Sequence, residues 1–300
     1  YQMKERNKTM TNENLIQIWY NDITKQPFKK SEKTRDEYLK GIRYFLEFVN
    51  KDIIDITQRD VKLYMQSLNV SDSTYNNRLA SISSLYKILA YNVKTEEIIT
   101  SNPTFGVIRV GVKNKEKKPL TVEEERALLQ NCKNKRDYAI LLLMLSNGLR
   151  IDELINLKLD QYLNRDEDNG IKLVHTKRSK IRMTYLNDNV IRAIDDYLIV
   201  RKDGCDFLFV SNSGETPLLR TSLTRTFKNI ARRSNMFSEE RIGQIAPHLM
   251  RCTCASALAE NDIPVQVIQK ILGHSDISCT MKYVKTSNDS VKNAMVGYAI

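Results

Sequence analysis

Three hundred residues, 41% of them hydrophobic, are enough to bury one or two cores, and 28% charged residues set between apolar-periodic segments exclude a disordered chain. The formal charge of +11 favours a polyanionic partner, and a phosphate backbone is the commonest one, although a basic soluble protein can show the same balance. The five cysteines, an odd number with no paired framework, read as reduced thiols of a cytoplasmic, nucleoid-associated protein, and the longest apolar run, Ala139 to Leu145, is too short to cross a bilayer.

Residues 1–14 are polar and rich in Lys and Asn, and read as a flexible tail. Residues 15–108 read as an all-helical domain. Tyr38, Ile42, Phe45, Leu46 and Val49 share one face of a helix opening near Ser31 or Thr34. A second helix begins near Thr57, and a third buries Tyr75, Leu79, Ile82, Tyr86 and Leu89. Its other face carries Asn77, Arg78, Ser81, Ser84 and Lys87, short polar and basic residues that suit phosphate contacts as well as a solvated surface. Asn102-Pro103 closes this bundle. Residues 109–119 then read as a basic linker, with Arg109, Lys113, Lys115, Lys117 and Lys118 against one acid, Glu116; such a run is a solvated connector or lies along DNA.

Residues 120–287 form the second expected domain, mainly helical with a small sheet. A capping box, Thr121 and Glu124, starts a helix, and a buried helix from Tyr138 ends at Gly148. Strands are expected at 171–174 and 181–186, around a turn at 177–180, with a further short strand at 207–210. Helices are expected at about 188–201, 219–235, 248–260, 264–272, 276–284 and 288–297.

Three short patterns carry the chemistry. In Gly148-Leu-Arg150-Ile-Asp-Glu153, a helix-ending glycine sets Arg150 at the next helix start, with Glu153 one turn on to hold it. In Pro247-His248-Leu-Met-Arg251, His248 and Arg251 share a helix face three residues apart; the pair can grip a phosphate or be a polar helix start. In Leu272-Gly273-His274, the histidine leaves a turn ahead of Tyr283, which is one of fourteen tyrosines, most of which serve to pack their rings.

Taken together, residues from about Leu120 to Lys285 resemble the tyrosine recombinase (phage integrase) family, and the plan resembles its simpler two-domain Xer-like members, transposon resolvases and small integrases. The boxes match at Arg150 with Glu153, at Lys177 in Lys177-x-x-Lys180-x-Arg182, at His248 and Arg251, at Leu272-Gly273-His274, and at Tyr283. Met250, Cys252 and Thr184-Tyr185 depart from the common pattern at non-catalytic positions. The resemblance implies a site-specific recombinase that makes a 3′-phosphotyrosine with Tyr283 as nucleophile and passes through a Holliday junction. It implies Arg150 and Arg251 as charge stabilisers, Lys177 as general acid, His248 and His274 as phosphate or proton partners, and Glu153 as a supporting residue. No cofactor or metal is called for.

It also implies double-stranded DNA with a specific site as partner, and a homo-tetramer on two sites. An accessory protein or a partner recombinase can join it. Asn77, Arg78, Lys87, Arg109, Lys113, Lys115, Lys117, Lys118, Lys180 and Arg182 are the expected DNA contacts. Residues 288–300 would dock on a neighbouring protomer or fold back on their own domain. Three rivals stand beside this reading. A type IB topoisomerase-like enzyme would use the same chemistry without site choice, and a non-catalytic DNA-binding protein would need only the charge. A zinc site among His248, Cys252, Cys254, His274 and Cys279 is disfavoured because Cys252 and Cys254 point apart on a helix.

Overall fold

The computed structural model describes residues 10–96, 99–111, 118–175, 180–211 and 216–283. The chain divides into two compact units, Tyr1–Lys115 and Glu116–Ile300.

The first unit is all helical: α1 (Asn12–Asp22), α2 (Glu32–Val49), α3 (Gln58–Ser67) and α4 (Asp72–Tyr91), with a 3-10 turn at Ile53–Asp55. Helix α1 opens inside the stretch read as a tail. Thr11 caps it reciprocally with Asn14, a capping box that uses Asn where Glu or Gln is usual. The Asn12 side chain then donates to the Lys51 carbonyl and accepts the Ile53 N–H, which ties α1 to the 3-10 turn. Trp19, Ile42, Phe45, Val61, Ile82 and Tyr86 fill the core. Two polar ring atoms within it find partners: the Trp19 indole N–H reaches Ser84 and the Tyr86 hydroxyl reaches the Ile53 carbonyl at 2.8 Å. Ser81 and Ser84 therefore serve packing rather than an outer face, and Ser81 is fully buried against Gly41 where α2 crosses α4. Asn76 brackets both the N–H and the carbonyl of Val110, so the chain stays bound to this unit through the first residues of the expected linker.

The second unit begins with α5 (Val122–Gln130) and α6 (Lys135–Asn147), then α7 (Ile151–Ile155), α8 (Leu159–Leu163), and the hairpin β1 (Gly170–His175) and β2 (Lys180–Tyr185). It continues with α9 (Asp188–Val200), α10 (Arg220–Arg233), α11 (Glu239–Gln244), α12 (Pro247–Glu260), α13 (Val265–Leu272) and α14 (Ser278–Met281). Helix α6 is buried almost all round, with Ile140, Leu143 and Met144 at its centre, and packs against α9 and α12. The strands pair antiparallel in the register Gly170↔Tyr185 to His175↔Lys180.

The strand expected at 207–210 does not form. Among the described residues, Phe207 and Val210 make only single bridges, to Lys158 and Pro217. Helices α7, α8 and α11, of five, five and six residues, went unread; they are too short to show a repeating apolar stripe. The expected helix at 288–297 lies outside the described residues.

A Cβ on Gly41 would stand 2.5 Å from Ser81 Oγ and 3.1 Å from its Cβ, so α2 and α4 meet where only glycine fits. Gly41→Val should destabilise the first unit by about 1–3 kcal/mol through overpacking. The chain's single tryptophan, Trp19, is buried in that unit, so urea unfolding followed by tryptophan fluorescence reads it directly. An unchanged midpoint would mean that the two helices do not approach this closely.

Candidate active site

Two helix ends build the site. Gly148, in the left-handed region at φ 58°, terminates α6, and Gly273, at φ 64°, terminates α13. A side chain at Gly148 would strike Leu272 Cδ2 at 2.6 Å, and one at Gly273 would strike Arg182 Cδ at 2.7 Å. Both turns therefore need glycine twice over, for backbone conformation and for space.

The last carbonyls of a helix have no partner within it and carry the negative end of its dipole. At the end of α13, three consecutive carbonyls are each taken by a different arginine. Arg182 of β2 donates to the Ile271 carbonyl, Arg251 of α12 to the Leu272 carbonyl at 2.5 Å, and Arg150 at the start of α7 to the Gly273 carbonyl. Arg251 also donates to the Gly148 carbonyl at 2.6 Å, which joins the two helix ends.

Glu153 supplies the counter-charge. Its side chain is only 1% exposed and lies between Arg150, at 2.8 Å, and Arg182, whose Nε and Nη2 reach its two oxygens at 3.1 and 2.8 Å. One oxygen also accepts the Arg150 backbone N–H at 2.7 Å. Burial alone would raise the carboxyl's pKa. The hydrogen bonds and charges of Arg182 and Arg150 outweigh it and lower the value from 4.5 to about 2.

Arg251 is 5% exposed, and burial beside Arg150 lowers its pKa to about 10, so it stays charged at neutral pH. The same crowd of cations acts on His274. Burial first, then Arg251, Arg150, Arg182 and His248, lower it to about 4. The ring is neutral at pH 7, and its Nδ1 lies 2.8 Å from the Thr280 hydroxyl. If that nitrogen accepts from Thr280, Nε2 carries the proton and is the donor.

Tyr283 packs half-buried against Ala255, Ile268 and Leu272. Its hydroxyl lies 3.3 Å from Cys252 Sγ, and that sulfur lies 3.6 Å from Nε2 of His248, one turn earlier on α12. Burial and then the thiol push the phenol's pKa well above 10, so it is protonated at neutral pH.

The structure thus gathers Arg150, Glu153, His248, Arg251, His274 and Tyr283 into one place. Lys177 lies outside the described residues, as do Lys113, Lys115 and Lys117, and the Lys180 side chain is likewise not described. Arg182, expected as a DNA contact, is 12% exposed and held by Glu153 and the Ile271 carbonyl. Its spacing in the hairpin motif could not show that it belongs to the charge network. Asn77, Lys87, Arg109 and Lys118 are exposed, while Arg78 stacks half-buried on the Tyr44 ring at 4.4 Å. Two contributors were not read from sequence. Asn147 donates to the Thr184 hydroxyl at 3.0 Å and the Tyr185 carbonyl at 2.7 Å, fixing the hairpin to α6; and Cys252 touches Tyr283.

Comparison with known proteins adds to this geometry. The profile described as "Phage integrase family" matches residues 118–289, and "Phage integrase, N-terminal SAM-like domain" matches residues 15–94. The chain is 25% identical over 267 residues to the tyrosine recombinase XerD of Rickettsia bellii, covering 82% of this chain and 85% of that protein. It is 28% identical over 298 residues to the tyrosine recombinase XerC of Caldanaerobacter subterraneus, covering 89% and 81%. In fold it is similar to the Tn1549 transposon integrase solved with transposon right end DNA, with TM-score 0.74, 22% identity and coverage of 97% and 100%. It is likewise similar to a lambda integrase dimer bound to a COC′ core site, with TM-score 0.73, 16% identity and coverage of 93% and 100%.

Removing the Glu153 carboxylate leaves two buried cations facing each other, so Glu153→Ala should cost about 3–5 kcal/mol. The folded carboxyl titrates near about 2 against 4.5 ordinarily, so its stabilisation is present above pH 4.5 and disappears as pH falls towards 2. Thermal melts of wild type and Glu153→Gln across that range should converge as acid is added. Parallel melting curves would contradict the ion-pair account.

Proposed function

We propose how this chain works from one premise: it belongs to the phage integrase family and is a tyrosine recombinase, an enzyme that cleaves and rejoins DNA strands in site-specific recombination. The observation that carries the assignment of roles is the convergence of Arg150, Arg251 and His274 on one helix end, beside the Tyr283 hydroxyl.

Tyr283 attacks the scissile phosphorus. The O–H bond of the phenol breaks, a phosphotyrosine forms at the 3′ side, and the 5′-hydroxyl leaves. The negative charge that grows on the non-bridging oxygens meets Arg150 and Arg251. The described contacts engage two of the five N–H donors of each guanidinium, and the carbonyl anchors hold both planes before DNA arrives. Neutral His274 donates from Nε2 to the same phosphate, with Thr280 fixing its tautomer. Lys177 delivers the proton to the departing 5′ oxygen. Because the phenol rests protonated, attack also needs a base, and His248 is the base we assign.

The phosphotyrosine conserves the energy of the broken bond, so rejoining requires no ATP. Attack by the 5′-hydroxyl of a second strand gives exchange, and four protomers on two sites would take the reaction through a Holliday junction. Double-stranded DNA bearing a recombination site is the partner we assign. The helical first unit acts as the core-binding domain, with the exposed Asn77, Lys87 and Arg109 towards phosphates, and the exposed Lys118 of the second unit is a further phosphate contact we assign. Residues 288–300 would dock on the next protomer.

Covalent trapping tests this reading. Wild type and Tyr283→Phe are expressed in cells, adducts are isolated under denaturing conditions, and the attached DNA is sequenced. Adducts at one recurrent sequence with wild type, and none with the variant, are expected. Scattered adducts would favour a topoisomerase-like enzyme, and adducts that persist in Tyr283→Phe would remove Tyr283 as nucleophile.

A further inference from the structure

A phenol held protonated needs somewhere to send its proton, and the atom nearest to hand is a sulfur. Cys252 Sγ lies between Tyr283 Oη, at 3.3 Å, and His248 Nε2, at 3.6 Å, both within hydrogen-bond range for sulfur. The thiol is 5% exposed and rigidly carried. Its neighbour Arg251 is anchored to two carbonyls, and its other neighbour Thr253 accepts the Leu120 N–H at 3.0 Å and donates to Leu249 at 2.9 Å. His248 and Cys252 are four apart on α12 and so share a face.

We propose that Cys252 is a catalytic residue that relays the phenolic proton of Tyr283 to His248. As the phenol oxygen bonds to phosphorus, its O–H bond breaks and the proton passes to Sγ, while the S–H proton passes to Nε2 of His248. The thiol ends as a thiol, the imidazole gains one proton, and nothing is oxidised. Rejoining runs the path in reverse, returning the proton to the tyrosine as it leaves. The relay rests on the assignment of Tyr283 as nucleophile and His248 as base. Among the described residues, the ionisable groups around it are Arg251 on α12 and Cys279 on α14 beside Tyr283, with Arg150, Glu153, Arg182 and His274 in the same cluster.

The test is single-turnover cleavage of a nicked duplex carrying the sequence recovered from the cellular adducts, with DNA binding measured separately by gel shift. Cys252→Ala should bind as wild type and cleave roughly 100-fold more slowly near neutral pH, the lower end of what a positioned proton acceptor contributes. The deficit should shrink as pH rises and hydroxide takes the proton instead. Cys252→Ser, which keeps a donor and acceptor in place, should recover most of the rate. Cleavage by the alanine variant close to wild type, an equal deficit at every pH, or a serine variant no better than alanine would each overturn the relay. Should the alanine variant fail to bind DNA, the serine variant decides alone, and a pH-independent loss there counts against the proposal. A Tyr283→Phe control separates the two levels: if it still forms the adduct, the nucleophile assignment has failed rather than the relay.

Discussion

The end of α13 is the point on which the site depends. Its last free carbonyls, Ile271, Leu272 and Gly273, are satisfied by Arg182, Arg251 and Arg150, three side chains that come from a strand and two other helices. A helix C-terminus is a natural place for cations. Here it fixes the planes of guanidiniums that would otherwise swing, and it does so from backbone atoms that cannot rotate away. Gly148 and Gly273 make the close approach possible, since a Cβ at either would collide with the groups being brought together.

Three clustered arginines repel one another, and the fold answers with one buried carboxylate. Glu153 pairs with both Arg150 and Arg182, so one negative charge is set against three positive ones and the cluster keeps an excess of positive charge. That excess of positive charge is what a phosphate would complete. Burial and the surrounding cations keep His274 neutral, while the Tyr283 phenol stays protonated because burial and its thiol neighbour outweigh Arg251, which acts in the opposite direction.

Much of this was legible in the chain. The glycine-ended helices, the His-x-x-Arg pair on one helix face, and the hairpin flanking Lys177 follow from capping and periodicity, and their order along the sequence resembles one family. The short helices α7, α8 and α11 carry too few residues to show a period. The hairpin motif that set Arg182 among the expected DNA contacts did not show that Glu153 and a helix end also hold it, because those contacts come from distant parts of the chain. Cys252 was noted as a departure from the usual residue and as a member of a disfavoured zinc set, since a contact between α12 and Tyr283, 31 residues on, is a tertiary fact. Thr184 was a similar departure, and the structure gives it a partner in Asn147.

The central claim is that Arg150 and Arg251 are held in place to meet phosphate charge. It is tested most directly by measuring single-turnover cleavage by Arg150→Ala and Arg251→Ala on two DNAs, one ordinary and one with the scissile phosphate replaced by an uncharged methylphosphonate. On ordinary DNA each variant should lose at least about 100-fold, the scale seen when a preorganised donor to a developing oxyanion is removed. On the methylphosphonate, with one negative charge fewer to stabilise, the loss should shrink to about tenfold or less. An equal loss on both substrates would mean that the arginines hold the fold together and do not act on the charge of the phosphate.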